Sequence, residues 1–308
     1  MAAPDIGVFL PSMSTPGGLP GDMAVAARHA EDLGLESVWV VDQLVAGTGS
    51  PVLDSGIALA TAAAATTRVR LGFGVMILPL RPVAWVAKQV ASLQHASGDR
   101  VILGVGAGGD RHEQSWAAAG VPRRERGRRT DAALRALPGL LSGKPTRLDD
   151  APGAPLIQLA PSAAVPPILV GGMSGAAMTR AAAYGDGWLP LPVPPAAVAD
   201  GAARLAGLAA ARGRPAPSVT ATMLTAMTGD PALPGHDSLI RLLTDADGPY
   251  AIPAEQVSDM LVSGSPAAVA ARLASYAEIG AGRVVVSFAA GDWQRQTELL
   301  AEARALLD

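Results

Sequence analysis

The sequence predicts a closed (β/α)8 TIM barrel with loop insertions, one α/β domain spanning 1–308. Two observations carry that expectation. Short apolar strands and helices alternate eight times along the chain. The strand segments, such as Val101–Val105 and Ile168–Val170, are apolar without alternation, as parallel strands covered on both faces must be. A doubly wound open sheet is the alternative, and the dinucleotide fingerprint discriminates. The glycine-rich run VGAGGD at Val105–Asp110 lies too far into the chain for a first βα turn, which favours the barrel.

Each element follows from local pattern. Ile6–Leu10 reads as the first strand. Gly21–Leu33 reads as a helix with Met23, Ala26, Ala27, Ala30 and Leu33 at helical spacing, and Gly34 stops it. Ser37–Val41, Val69–Met76 and Val101–Val105 are the next strands. Between them lie helices at Leu53–Ala65 and Val83–Ala96, and two helical pieces follow at Glu113–Ala119 and Arg126–Leu141. Thr146–Ala164 is rich in Pro, Gly and Asp and lacks helical period, so it is an inserted loop with a small hairpin near Leu156–Leu159. Ile168–Val170, Trp188–Leu191, Val219–Met227 and Arg283–Phe288 complete the strands. Helices at Ser174–Tyr184, Ala196–Ala211, Pro266–Ile279 and Asp292–Leu307 separate or follow them. Gly229–Ser263 is irregular, a second long loop with short helices. Trp39, Trp85 and Trp188 read as core residues.

Composition narrows function. Of 308 residues, 49% are apolar and 17% charged, ample for a large core. Net charge is −3, which gives nucleic-acid binding no help from the overall field. Cysteine is absent, removing disulfides, thiolate metal sites and cysteine nucleophiles. No basic segment precedes the first apolar run, and no run is long enough to span a membrane, so the expected location is cytoplasmic. Lys88 and Lys144 are the only lysines. The arginine cluster from Arg123 to Arg129 is interrupted by Glu125 and reads mainly as a solvated helix start.

Function in a barrel of this kind sits at the carboxyl ends of the strands. Glycine recurs at those ends, where a side chain would block a flat ligand: Gly74, Gly106–Gly109 and Gly171–Gly172. After Ile168–Val170, the turn Gly171-Gly172 leads to Ser174, a plausible N-cap, and the helix start beyond it is a ready anion site. A tight strand-to-helix turn without a ligand is the plain alternative. Asp42 projects from the rim after an uncharged strand, as a functional carboxylate, a helix cap or the partner of an arginine. His112 stands among Asp110, Arg111 and Glu113, a spacing that matches no known ligand set, and no metal is expected. No GxSxG or serine triad is present.

The blocks ESVWVVDQ (Glu36–Gln43), Arg68–Gly109 and Pro166–Trp188 together resemble the bacterial luciferase-like superfamily. They are most similar to its single-component branch, which uses the deazaflavin coenzyme F-420. That resemblance implies a hydride-transferring oxidoreductase acting on a small, neutral organic substrate, and a homodimer. A flavin mononucleotide (FMN)-dependent monooxygenase and a non-catalytic barrel that holds a flavin-like ligand are the alternatives. It also implies that Asp42 lies near the ring and that Gly74-Val75 forms a bulge with a cis peptide behind it. Ala107, Gly108 and Gly109 would run along the cofactor, with Gly171, Gly172, Met173 and Ser174 at its phosphate. The sugar-phosphate dehydrogenases of the family carry histidine at the position of Gln43 and glutamate at that of Gly109. With neither group, and with two lysines badly placed to hold a phosphate, activity on glucose 6-phosphate is not expected. Candidates for proton transfer are Asp42, Gln43 as an orienting group, His112, Tyr250 or solvent.

Overall fold

The computed structural model describes residues 3–14, 18–46, 49–109, 113–149, 151–245 and 252–307. Eight parallel strands close into a barrel, with Gly187 and Trp188 pairing back to Ser218 and Val219. They are β1 (Asp5–Phe9), β2 (Ser37–Val40), β3 (Arg70–Ile77), β4 (Val101–Gly106), β7 (Ile168–Gly171), β8 (Gly187–Leu189), β9 (Ser218–Met227) and β11 (Arg283–Phe288). The outer layer contains α1 (Met23–Asp32), α2 (Ser55–Ala65), α3 (Val83–Ser97), α5 (Arg126–Leu141), α6 (Gly175–Tyr184), α7 (Pro195–Ala210), α10 (Pro266–Glu278) and α11 (Trp293–Ala305). Short α4 (Glu113–Ala118), α8 (His236–Thr244) and α9 (Ala254–Met260) lie in the loops. No helix among the described residues is long and apolar enough to cross a membrane.

Ser174, expected as a cap, is one of five side chains among the described residues that close helix starts. Asp22, Asp54, Ser174, Ser265 and Asp292 each accept a backbone N–H of the first turn that follows, covering donors a helix cannot satisfy itself. Most of the core lies between strands and helices, while a smaller cluster of Trp39, Ile102, Leu169, Leu189 and Val285 fills the barrel interior, with Phe9 and Val75 above it. At the opposite end of the barrel, the Glu31 carboxylate accepts the N–H groups of Thr67, Arg68 and Val69 at 2.6–3.1 Å and holds the turn into β3.

Three expectations need correction. The hairpin in the first insertion pairs β5 (Thr146–Arg147) with β6 (Leu156–Ile157), so it begins earlier than expected. Trp85 is not core: its side of α3 faces outward and it is 66% exposed. The irregular region ends in a further strand, β10 (Leu261–Gly264), parallel to the upper half of β9. There β9 pairs with β8 only through Ser218 and Val219, so the barrel splays at its mouth. Leu224, Ala226, Leu239, Leu243, Ile252 and Val257 pack a second small core beside the gap.

Candidate active site

A cavity of about 1360 Å³ opens at the carboxyl ends of the strands. Its floor follows from side-chain alternation, because residues two apart on a strand share a face. On the β3–β4–β7 side the positions facing it are Gly74, Gly106 and Gly171. Val75 rises between them. A Cβ on Gly106 would stand 2.7 Å from one Val75 methyl, and one on Gly171 would stand 2.7 Å from the other. Both glycines therefore leave the space that seats Val75. The Gly74–Val75 peptide is cis, as the resemblance implied, and the pairing of β3 with β4 slips at this point as a bulge. On the β9–β11–β1 side the floor bears side chains instead: Thr222, Leu224, Ser287 and Phe9.

Asp42 lines this cavity and is 4% exposed. Its carboxylate accepts the Ser55 hydroxyl at 2.8 Å, the Ile77 N–H at 2.8 Å, and both terminal nitrogens of Arg81 at 2.6 and 2.7 Å. Of the readings open at the rim, the arginine partner is the one found. Four donors occupy the carboxylate's acceptor positions, which suits it to fixing β2, α2 and the end of β3 and not to moving a proton. Burial opposes the charge of Arg81, but the hydrogen bonds and charge of Asp42 outweigh it and raise the guanidinium above the ordinary arginine value. Arg81 carried no functional signal in the sequence, because its partner lies 39 positions away.

Gln43 is half-buried at the rim, and its amide makes no hydrogen bond with another described residue. Ala107, Gly108 and Gly109 line the cavity beside β4, and around Gly109 there is open space. His112 and Tyr250 lie outside the described residues.

The anion turn differs in detail from its sequence reading. Gly172 has φ +104°, a conformation that requires glycine, and its N–H is taken by the Leu189 carbonyl at 3.1 Å. Ser174 caps α6 by accepting the Ala177 N–H at 3.2 Å. The donors left for an anion are those of the first turn, at Gly175 and Ala176. Met173 turns away from the cavity and packs against the main core. The arginine cluster is the residue set that sequence reasoning undervalued. Arg123, Arg124 and Arg126 reach the same cavity wall as α6, together with Arg180, which is paired with Asp131 at 2.6 Å. Lys88 is indeed elsewhere, donating to the Ala160 carbonyl. Among the described residues, no three His, Cys, Asp or Glu side chains gather as a metal set.

Known proteins share this fold or parts of this sequence. An F420-dependent secondary alcohol dehydrogenase, solved with an F420-acetone adduct, superposes over all of both chains with a TM-score of 0.80 at 16% identity. An uncharacterised protein of Mycobacterium tuberculosis is 37% identical over 153 residues, 46% of this chain and 49% of the relative. An F420-dependent glucose-6-phosphate dehydrogenase of Kineococcus radiotolerans is 35% identical over 129 residues, 40% of this chain and 37% of the relative. The matches thus cover about half or less of these curated relatives. The family model described as luciferase-like monooxygenase matches residues 5–232. With that match spanning most of a barrel built as its members are, the chain belongs to the luciferase-like monooxygenase family.

Proposed function

We propose that the protein is an F-420-dependent oxidoreductase that moves a hydride between the deazaflavin and a small, neutral organic substrate. The division of the cavity carries this reading. One half has a bare glycine floor with Val75 standing in it, and beside it a helix start and arginines. A flat ring with an anionic tail suits that half. Arginines on this wall suit an anionic tail. The resemblance of the sequence to the deazaflavin branch favours that cofactor over FMN. When bound, the deazaflavin supplies hydride chemistry at its C5. The protein's own work is placement: Asp42 and Arg81 fix the end of β3, Val75 supports the ring, and the apolar wall opposite excludes water.

A second reading, an FMN-dependent monooxygenase, draws on the description of the matched family. Equilibrium binding of F-420 and of FMN to the purified protein separates the two. The proposal expects tighter binding of F-420, and a preference for FMN would overturn it. Turnover on a panel of alcohols and ketones then tests catalysis against mere ligand holding. Glucose 6-phosphate belongs in that panel. The arginines remove one objection to it, but Gln43 and Gly109 still supply no base, and the expected rate is negligible.

The proposed partner in assembly is a second copy of the chain, supported by the uncharged outer face of α2 and by exposed Trp85. The cytoplasm remains the proposed location, consistent with a cysteine-free chain.

A further inference from the structure

Two segments of the cavity wall are held from behind by one short helix. Asp42 and Gln43 at the end of β2, Ile77 at the end of β3, and Gly108 and Gly109 after β4 all line the cavity. Ser115 and Trp116 of α4 do not line it; they are buried in the layer outside. The Ser115 hydroxyl accepts the Val45 N–H at 3.0 Å and donates to the Val45 carbonyl at 3.3 Å. One side chain thus takes both backbone groups of a residue in the loop after β2. Trp116 closes over the bare Cα of Gly108. A Cβ there would stand 2.7 Å from the indole ring and 2.9 Å from an Ile77 methyl, and the φ of +69° also favours glycine. The indole N–H donates to the Gly109 carbonyl at 3.4 Å. Ile77, Leu80, Trp116 and Val121 form an apolar cluster of their own, apart from the main core.

These contacts close a ring. Asp42 accepts the Ile77 N–H at 2.8 Å, Ile77 packs with Trp116, and Ser115 returns to Val45, three residues after Asp42. Gln43 and Leu44 therefore lie between two fixed points of the backbone, and Gly108 is fixed by the same helix. We propose that Ser115 and Trp116 are positioning residues, a bracket that sets the ends of β2 and β4 before a ligand enters. This deepens the oxidoreductase reading and rests on it for the ligand, F-420. Segments already ordered in the free protein need not be ordered by binding, so the bracket raises affinity without touching the cofactor. Without it, that ordering falls on the binding step.

The test compares Ser115→Ala and Trp116→Phe with Thr66→Val, all in the full chain. Thr66 carries a buried hydroxyl at the opposite end of the barrel, donating to the Ala62 carbonyl at 2.7 Å, and controls for lost stability alone. F-420 dissociation constants are measured by fluorescence titration well below each variant's unfolding temperature. Two-dimensional NMR follows the backbone amide signals of Gly108 and Gly109. Ser115→Ala and Trp116→Phe each lose a neutral hydrogen bond and should weaken F-420 about fivefold, the ratio for ~1 kcal/mol. Ser115→Ala should also shift and broaden both glycine signals, although the hydroxyl it removes bonds Val45. Thr66→Val should melt earlier while F-420 affinity and the glycine signals hold. An equal loss of affinity in Thr66→Val overturns the bracket. F-420 bound equally by the parent and by Ser115→Ala also overturns it and leaves the cofactor reading standing. A parent protein that fails to bind F-420 overturns the cofactor reading, and the glycine signals then decide the bracket. Their shift in Ser115→Ala upholds it; unchanged signals overturn it.

Discussion

Asp42 shows how a residue can be visible in a sequence while its role is not. A lone carboxylate after an uncharged strand stood out, but its donors come from three separate segments, Ser55, Ile77 and Arg81, which only the folded chain brings together. Removing Arg81 should therefore act first on stability. Arg81→Ala leaves a buried carboxylate without its cation and should cost about 3 kcal/mol. That is the low end for a broken buried pair, because Arg81 keeps 21% of its side chain in solvent. Arg81→Lys should recover part of this, since an ammonium cannot repeat the two-pronged contact. Urea denaturation of both variants measures it, and an unchanged midpoint in Arg81→Ala would show that the pair holds nothing. Val75 gives a second expectation at single residues. Gly106→Ala and Gly171→Ala each put a methyl 2.7 Å from a Val75 methyl and should push Val75 toward the cofactor half. F-420 affinity should fall roughly tenfold or more in both, against a cost of about 1–3 kcal/mol in folding. Gly109→Ala meets open space and should leave stability alone, so comparing the three separates site from scaffold.

Helices and strands were legible wherever local chemistry decides them. Helical spacing placed α1 and the Ser174 cap placed α6 to within a residue or two. β10 was not legible. It has four residues, follows α9 without a glycine or proline between, and exists because the splay of β9 from β8 leaves a strand edge to pair. The tie between α1 and β3 is likewise tertiary, and it titrates. Burial opposes ionisation of Glu31, but N–H bonds from Val69, Arg68 and Thr67 outweigh it and lower its pKa from the ordinary 4.5. A depressed carboxylate contributes stability that is complete above its unfolded value and is lost as pH falls through the folded one. Unfolding free energy followed from pH 7 downward should thus decline below about pH 4.5. Glu31→Gln should remove that part of the decline and cost roughly 1 kcal/mol at neutral pH, since the amide oxygen can still accept from part of the turn. Parallel acid profiles for the variant and the parent would show that Glu31 is not the group responsible.

Closure of the barrel was legible because it needs only the alternation of elements and strands apolar on both faces. The split of its mouth into a bare, cationic half and an apolar, hydroxyl-bearing half was not, because strand order and splay decide which residues face one another. The outer surface carries a similar fact. Along α2, the exposed positions Ile57, Ala60, Thr61 and Ala64 bear no charge, and Leu53 extends the stripe before the helix. Helices facing water usually turn charged residues outward. α3 packs beside α2 and adds Trp85, so side chains 69% and 66% exposed at Ile57 and Trp85 lie on neighbouring helices of one face. An aromatic anchor beside the uncharged stripe of α2, with Asp54 and Lys88 at its edge, would suit the core of an interface between like subunits. A two-fold contact would bring each Trp85 against the other copy's α2 face, burying both at once. Light scattering after gel filtration should then give twice the chain mass for the parent protein. Ile57→Glu combined with Trp85→Glu should give the chain mass itself, because like charges would meet across the axis in an apolar setting. Circular dichroism should be unchanged in that variant, since both side chains are exposed in the single subunit. A parent protein that runs as a monomer at tens of micromolar would refute the assignment, and so would a double variant that remains dimeric.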